Sequence, residues 1–331
     1  MTTINRIEIR IPFPLKRVNC YYIKDSLPTL IDAGVNTEES FRTVESEVRK
    51  VGGTIEGLRR VILTHAHSDH IGLAPSIAQL SGADVYVQKW DAGKIALGGK
   101  KDSANRGEMY RRFFLEAGVP NAMLEQTLRS MLERFRKFYV TFSDEKALEG
   151  GEVFSFDDFS LDVIHTPGHT PGSICIFNRV DGTLFSGDSL LEKISSNPMA
   201  AIGSPAENVN YRSLERYLAS LEVIEGLPVK AVLPGHGPPF SNHRKRVREI
   251  HTHHGVRMTE VLSIFEKNNT NLATGGGVTG FTVANRLFHC LEGIELFLGL
   301  SEAQGHLEVL EQKGLVFSRK EGTRRLYYLS E

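Results

Sequence analysis

His65-Ala66-His67-Ser68-Asp69-His70 follows directly on the short β-rich run Arg60 to Leu63. Three imidazoles and a carboxylate fall within six consecutive positions. In an extended segment, residues two apart point the same way, so His65 and His67 can share one ion. Asp69 and His70, past the turn, can reach a neighbouring ion. Histidine combined with carboxylate suits zinc, iron or manganese. Taken alone, the run is also compatible with a polar loop that happens to be histidine-rich, because short motifs mislead.

Three further stretches repeat the arrangement. His165-Thr166-Pro167-Gly168-His169, Phe185-Ser186-Gly187-Asp188 and Leu233-Pro234-Gly235-His236-Gly237 each carry a ligand-type residue out of a strand-like run. Each has a glycine just before that residue, which permits close backbone approach. Four strand ends that each deliver a candidate ligand make a site along one rim of a sheet structure.

The surrounding pattern fits. Arg6 to Ile11, Cys20 to Ile23, Thr29 to Ile31 and Asp84 to Gln88 read as strands, as do Val153 to Phe156, Phe159 to His165, Ser173 to Phe177, Thr183 to Ser186 and Val229 to Leu233. Helical spacing covers Asn36 to Val51, capped at Thr37 or Asn36, then Ile71 to Leu80 and Tyr211 to Ile224. Asp181-Gly182 marks a hairpin turn. Two halves of strands followed by helix predict an α/β fold in which helices flank two stacked sheets.

Together these motifs, in this order, resemble the metallo-β-lactamase superfamily in its two-metal hydrolase form. The resemblance covers roughly residues 5 to 240. It implies a four-layer αββα sandwich and two divalent metal ions, zinc first, with iron or manganese as alternatives. It assigns His65, His67 and His169 to one ion, and Asp69, His70 and His236 to the other. It implies that Asp188 bridges both, and that Asp69 also has the catalytic role of orienting a metal-bridging hydroxide and taking up its proton. Asp32, in Leu30-Ile31-Asp32-Ala33-Gly34, is implied to hydrogen-bond near a ligand histidine, whereas His165 lies outside the ligand pattern. No GxSxG elbow is present, and Cys175 inside a strand reads as core.

Departures narrow the branch. Secreted antibiotic-degrading members of the common zinc type have cysteine where Asp188 stands, and the di-iron electron-transfer branch has glutamate where His67 stands. The thioester-cleaving glyoxalase II branch is similar in its motifs but has a much shorter gap between His70 and His169, here 99 positions. The excess is a charged, helix-forming insertion at about residues 92–146. It fits a solvated helical hairpin or a lid over the site equally well. Phe113, Phe114 and Leu115 within it suit either a lid or a contact between copies in a homo-oligomer.

The catalytic region is therefore expected at residues 1–240, and residues 241–331 form a helix followed by a small C-terminal winged-helix domain. Asn242 to Phe265, Phe281 to Phe288 and Glu302 to Lys313 read as helices. The Gly275-Gly276-Gly277 break lies between the first two, and Gly314 to Leu329 reads as a hairpin around Glu321-Gly322. This order resembles a subgroup that includes β-lactamase-like endoribonucleases. Residues 255–331 nevertheless carry eight Lys and Arg against nine Asp and Glu, so a winged helix that shapes the pocket is favoured over a nucleic-acid reader. The basic run Arg244 to Arg248 with His251, His253 and His254 reads as a solvated helix face.

The formal net charge of −1 gives no sign of an obligatory nucleic-acid or membrane partner. Cys20, Cys175 and Cys290 are scattered and odd in number, which suits free thiols in a reducing compartment. No signal-peptide pattern opens the chain, so a cytoplasmic location is expected. Two functions compete. One is hydrolysis of a small-molecule ester, thioester or lactone, and the alternative is a metal-dependent endoribonuclease acting on single-stranded RNA. A ligand-sensing transcription regulator, which would leave the ligands idle, ranks third.

Overall fold

The computed structural model describes residues 2–96, 100–142, 144–202, 211–267, 276–289 and 291–330. Gly275 of the expected glycine break and Cys290 lie outside the described residues.

The first sheet has six strands in chain order: β1 (Thr3–Arg10), β2 (Arg17–Lys24), β3 (Thr29–Ile31), β4 (Arg60–Ile62), β5 (Asp84–Gln88) and β6 (Lys146–Leu148). Strands β1 to β3 pair antiparallel, and β3 to β6 pair parallel. Parallel neighbours need crossovers. Helix α1 (Glu38–Lys50) supplies the first, and α2 (Ser68–Ile71) with α3 (Ala74–Ser81) supplies the second. The second sheet runs β11-β10-β9-β8-β7, from β7 (Val153–Ser155), β8 (Ser160–His165), β9 (Ile174–Asn178), β10 (Thr183–Gly187) and β11 (Ala231–Pro234). Its one parallel pair, β10 with β11, is spanned by α7 (Ser213–Gly226).

Side-chain alternation builds four layers from these sheets. In β2 every residue from Val18 to Ile23 is buried. Val18, Cys20 and Tyr22 pack with Val44 and Val48 of α1 and Ile77 of α3. Tyr21 and Ile23 point the other way and meet Ile174, Ile176 and Phe185 of the second sheet. On that sheet Cys175, Phe177 and Leu184 turn outward against Leu214, Tyr217 and Leu221 of α7. A strand buried on both faces reads as a near-continuous apolar run, as Ile174 to Phe177 of β9 does and as β2 does apart from Asn19. The result is the expected helix–sheet–sheet–helix sandwich.

Local chemistry sets the helix ends. Thr37 caps α1 by accepting a hydrogen bond from Ser40 N, with Glu38 and Glu39 in the first turn and Arg49 and Lys50 in the last. The single helix expected over Ile71 to Leu80 is instead two pieces. Pro75 falls at the start of α3, and proline is tolerated in a helix's first turn but not in its interior.

The insertion folds as α4 (Lys89–Ala96), α5 (Lys100–Glu116) and α6 (Asn121–Phe138). It is not a solvated hairpin. Phe114, Leu124, Leu128 and Met131 are buried with Val261, Phe265, Leu296, Phe297 and Leu300 in one apolar cluster. Those partners come from α8 (His243–Lys267) and α10 (Gly293–Gln312), which are joined by β12 (Val278–Thr279) and α9 (Gly280–Leu287) and followed by the hairpin β13 (Val316–Glu321) and β14 (Arg324–Leu329). Strand β14 lies between β12 and β13. Helix α10 starts well before the expected Glu302, because it is buried on most of its faces from Leu296 to Leu310 and shows no amphipathic stripe to reveal it. Among the described residues no helix is long and apolar enough to cross a membrane.

Burial raises the Glu308 carboxyl on α10 to about 7, despite a hydrogen bond from Gln304 that lowers it. Its folded value therefore lies above its unfolded one. The stability it contributes is full at pH 4 and is lost as pH rises through about 7. Glu308→Gln is expected to remove that loss, worth roughly 2–3 kcal/mol. Denaturant unfolding at pH 5 and pH 8 checks this, and an equal pH slope in both proteins would contradict it.

Candidate metal centre

All seven candidate ligands meet at one rim of the sandwich. His65 and His67 leave the end of β4, and Asp69 and His70 lie in the short helix α2 that follows. His169 stands in the loop between β8 and β9, Asp188 follows β10, and His236 follows β11. His67 Nδ1 lies 3.0 Å from both His65 Nε2 and His169 Nε2. A tetrahedral ion with nitrogen ligands at 2.0–2.1 Å has edges of about 3.3 Å, so these three nitrogens are spaced to share one cation. His70 Nε2 lies 3.4 Å from His236 Nε2, and His236 Nε2 is 3.6 Å from Asp69 Oδ2. Asp188 stands between the groups, with Oδ2 3.6 Å from His169 Nε2 and 3.4 Å from His236 Nε2, and Oδ1 3.6 Å from His70 Nε2. Three triads of ligand atoms lie within reach of a common ion: His65, His67 and His169; His65, His70 and Asp188; Asp69, His70 and His236.

The donor set fits metal ions by its electrostatics as well. Burial alone would raise the Asp188 carboxyl, but His236 and His70 hold it well below the usual carboxylate range. Its Oδ1 is buried without a hydrogen-bond donor. Burial drives His65 and His169 down, so both are neutral imidazoles with a lone pair to offer. Burial opposes protonation of His70 too, but the charges of Asp32 and Asp188 overcome it and raise the group. A field that retains a proton at this spot also favours a cation.

Partners behind the ligands orient them. His70 Nδ1 donates to Asp32 Oδ2 at 2.8 Å. Asp32 also accepts from Thr64 N and Thr64 Oγ1, both at 2.8 Å, and Thr64 Oγ1 is 3.2 Å from His65 Nδ1. One buried carboxylate thus aims two imidazoles, leaving their Nε2 atoms toward the centre. Asp32 holds a left-handed φ of 57°, which an aspartate tolerates better than most residues. His169 Nδ1 meets Asn197 O at 2.9 Å and Ser196 Oγ at 3.1 Å. The loop carrying His236 is tied down by Asn19 Nδ2, which donates to Pro234 O and Gly237 O, and by Tyr21 OH, which donates to Pro234 O. His165, outside the ligand clusters, meets Pro171 O through Nε2 at 2.8 Å. Gly168 is required where it stands: its φ is +147°, and a Cβ there would lie 2.3 Å from Tyr217 Cα on α7.

Asp91 is a residue of the site that the sequence motifs miss. It is buried in α4, and its Oδ2 accepts from Ala66 N at 2.8 Å and from Thr170 Oγ1 at 2.7 Å, while Oδ1 accepts from Gly172 N at 3.0 Å. It therefore ties the His65–His67 loop to the His169 loop. The only signal in the chain is a carboxylate just past the end of β5. Asp91→Asn puts an amide where three donors converge. It is expected to weaken metal retention about 10–100-fold, the usual cost of losing such a support. Competition with a graded chelator measures it, and unchanged retention would remove Asp91 from this role.

The histidine run on α8 differs from the expected solvated face. His253 is exposed, but His254 is buried, with Nδ1 3.2 Å from His306 Nε2 on α10 and Nε2 3.0 Å from Ser195 Oγ. Burial lowers both imidazoles, to about 3 at His254 and about 4 at His306. The basic side chains nearby are occupied too: Arg244 and Arg246 donate to backbone carbonyls, Arg248 pairs with Glu225, and Arg325 of the hairpin pairs with Glu116.

A cavity of about 440 Å³ opens over the centre, with His67, Asp69, His169, Asp188 and His236 on its floor. Its walls are mainly apolar. Phe13 and Leu15 come from the β1–β2 loop, Met109 and Phe138 from the insertion, and Phe297 from α10. The insertion is thus a wall of the site.

A metal-ligand rim on an αββα sandwich, opening into a cavity, defines a metal-dependent hydrolase. The family model of the metallo-beta-lactamase superfamily matches residues 14–236, and the chain belongs to that superfamily. It is 31% identical to the probable metallo-hydrolase YqjP of Bacillus subtilis (strain 168), over 97% of each chain. It is also 34% identical to the acyl-coenzyme A thioesterase MBLAC2 of Gallus gallus, over 30% of this chain and 34% of that one. Among solved structures, the metallo-beta-lactamase family protein TTHA1429 of Thermus thermophilus superposes with a TM-score of 0.82 over 98% of each chain, at 24% identity. That likeness extends the shared fold through the insertion and the C-terminal segment.

Proposed function

We propose that this hydrolase cleaves a small acyl thioester, with esters and lactones as related substrates, at a centre holding two divalent ions, zinc foremost. The observation that carries the reading is the apolar cavity directly above the paired ligand sets. A cavity of this size and lining suits a compact acyl compound. When bound, divalent ions supply Lewis acidity that lowers the pKa of water toward about 7 and offsets charge on the developing oxyanion.

The chain's own residues do the remaining work. His65, His67 and His169 would hold one ion and Asp69, His70 and His236 the other, with Asp188 shared. Asp69, on the cavity floor, orients the attacking water and takes its proton at the carboxylate. The apolar walls exclude bulk water and seat the acyl chain. A thiolate, with a pKa near 8.5, departs without being protonated, so thioester cleavage needs no separate acid. The thioesterase relative supports the same class.

Elemental analysis of the purified protein, run with a panel of thioester, ester, lactone, phosphodiester and single-stranded RNA substrates, tests the reading. Two ions per chain and thioester turnover are expected. Cleavage of RNA alone, or full turnover without metal, would overturn it. The balance of eight Lys and Arg against nine Asp and Glu over residues 255–331 weighs against the RNA alternative, although Arg319, Lys320 and Arg324 of the hairpin are exposed.

A further inference from the structure

The apolar cavity contains a charge that the proposed reaction does not use. Arg134, on α6, lines it, and among the described lining residues it is the sole Lys or Arg. Its guanidinium lies 4.1 Å from the centre of the Phe13 ring. Phe13 is in turn fixed edge-to-face against Phe138, with ring centroids 5.2 Å apart. The cation is therefore held in place by aromatic stacking.

Arg134 has no hydrogen bond or ion pair among the described residues. The side chain is half-buried. Burial works against its charge, and the one acidic group that acts on it electrostatically is Asp69, a candidate ligand. A guanidinium stays charged in proteins and presents five donors in a planar fork. Half-buried on the Phe13 ring, it turns donors that no described protein group takes up toward whatever enters the cavity. A planar oxyanion is the group that fits a fork, through two parallel charge-assisted hydrogen bonds.

We infer that the substrate is an anionic acyl compound, one whose carboxylate or similar oxyanion pairs with Arg134 while its acyl chain lies on the apolar walls. This rests on the hydrolase reading above and names the substrate class for the same site. Arg134 is then the residue that sets specificity. The anionic group can sit on the acyl end or on the thiol portion.

Three thioesters separate these cases: hexanoyl-N-acetylcysteamine, which is neutral; adipoyl-N-acetylcysteamine, with a carboxylate on the acyl end; and hexanoyl-mercaptopropionate, with one on the thiol side. The readout is the ratio of kcat/KM for each anionic substrate to that for the neutral one. In the metal-loaded wild type, one of the two ratios is expected to be about 10–100, the range that a charge-assisted pair supplies. Arg134→Gln is expected to bring it close to 1, and Arg134→Lys to restore it in part. Bound ions also attract anions, so the fall in the ratio, and not its absolute value, is diagnostic.

Wild-type ratios at or below 1, or a preference kept in Arg134→Gln, would overturn the inference. Should Arg134→Gln not fold, the wild-type and Arg134→Lys ratios still decide it. Equilibrium binding of the non-hydrolysable thioether counterparts keeps the two proposals apart. Anionic preference in binding that Arg134→Gln abolishes, with no thioester turned over, would support the Arg134 inference and reject the thioesterase reading.

Discussion

Asp188→Ala is expected to reduce bound metal below two ions per chain and to lower kcat/KM by on the order of a thousandfold. Among the described residues, Asp188 is the one carboxylate within 3.6 Å of imidazole nitrogens from both candidate ligand groups. Removing it leaves His70, His169 and His236 without the carboxylate they share, and Asp69, 3.6 Å from His236, as the remaining candidate carboxylate ligand for two cations. Losing a shared ligand therefore weakens both sites together, unlike losing His67 at one of them. Elemental analysis and steady-state kinetics on the same preparation measure both effects. Full metal content with full turnover would refute the shared role. Full metal content with lost turnover would move Asp188 from holding ions to handling substrate.

The second large effect is expected from the smallest change. Gly235→Ala places a methyl group 2.4 Å from Asp188 Oδ1 and 2.8 Å from His70 Cε1. The backbone has little freedom to retreat. Gly235 N donates to Gly187 O at 2.8 Å, and Gly235 O accepts from Asn19 N at 2.7 Å. The ligands must move instead. Overpacking of this kind costs about 1–3 kcal/mol, a fall of several °C in Tm for a chain of this size. The larger consequence is for metal retention, expected to drop at least tenfold because two ligands are displaced at once. Calorimetry with and without a chelator separates the two: the chelator-dependent part of Tm should shrink in the variant. An unchanged chelator-dependent shift would show that the loop has room the structure does not reveal.

Much of the sandwich was legible in the chain. The strands Thr29–Ile31 and Asp84–Gln88 end where the pattern put them, and the Thr37 cap stands where a helix start was expected. These are local signals, set by two-residue and 3.6-residue periods and by capping chemistry that acts within a few positions. The candidate ligands were visible as ligand-type residues for the same reason, since each follows a strand and a glycine or lies within one short run, whereas their division between two ions came from the family resemblance. Helix α10 was only half legible, because a helix buried on most faces has no polar side to give its period away. The burial of His254 was not legible, because α10, which covers it, lies some fifty positions further along the chain.

By itself, then, the sequence determined that helices flank two β-rich halves and that seven ligand-type residues stand at strand ends. Both follow from periodicity and short motifs. Only the tertiary structure decided that the insertion and the C-terminal helices share a core, that Asp91 joins two ligand loops, and that Arg134 stands unpaired on Phe13 within the cavity. Each of these depends on groups 25 to 120 or more positions apart coming into contact. Such contacts come from packing whole layers together, for which no local period in the chain provides a signal.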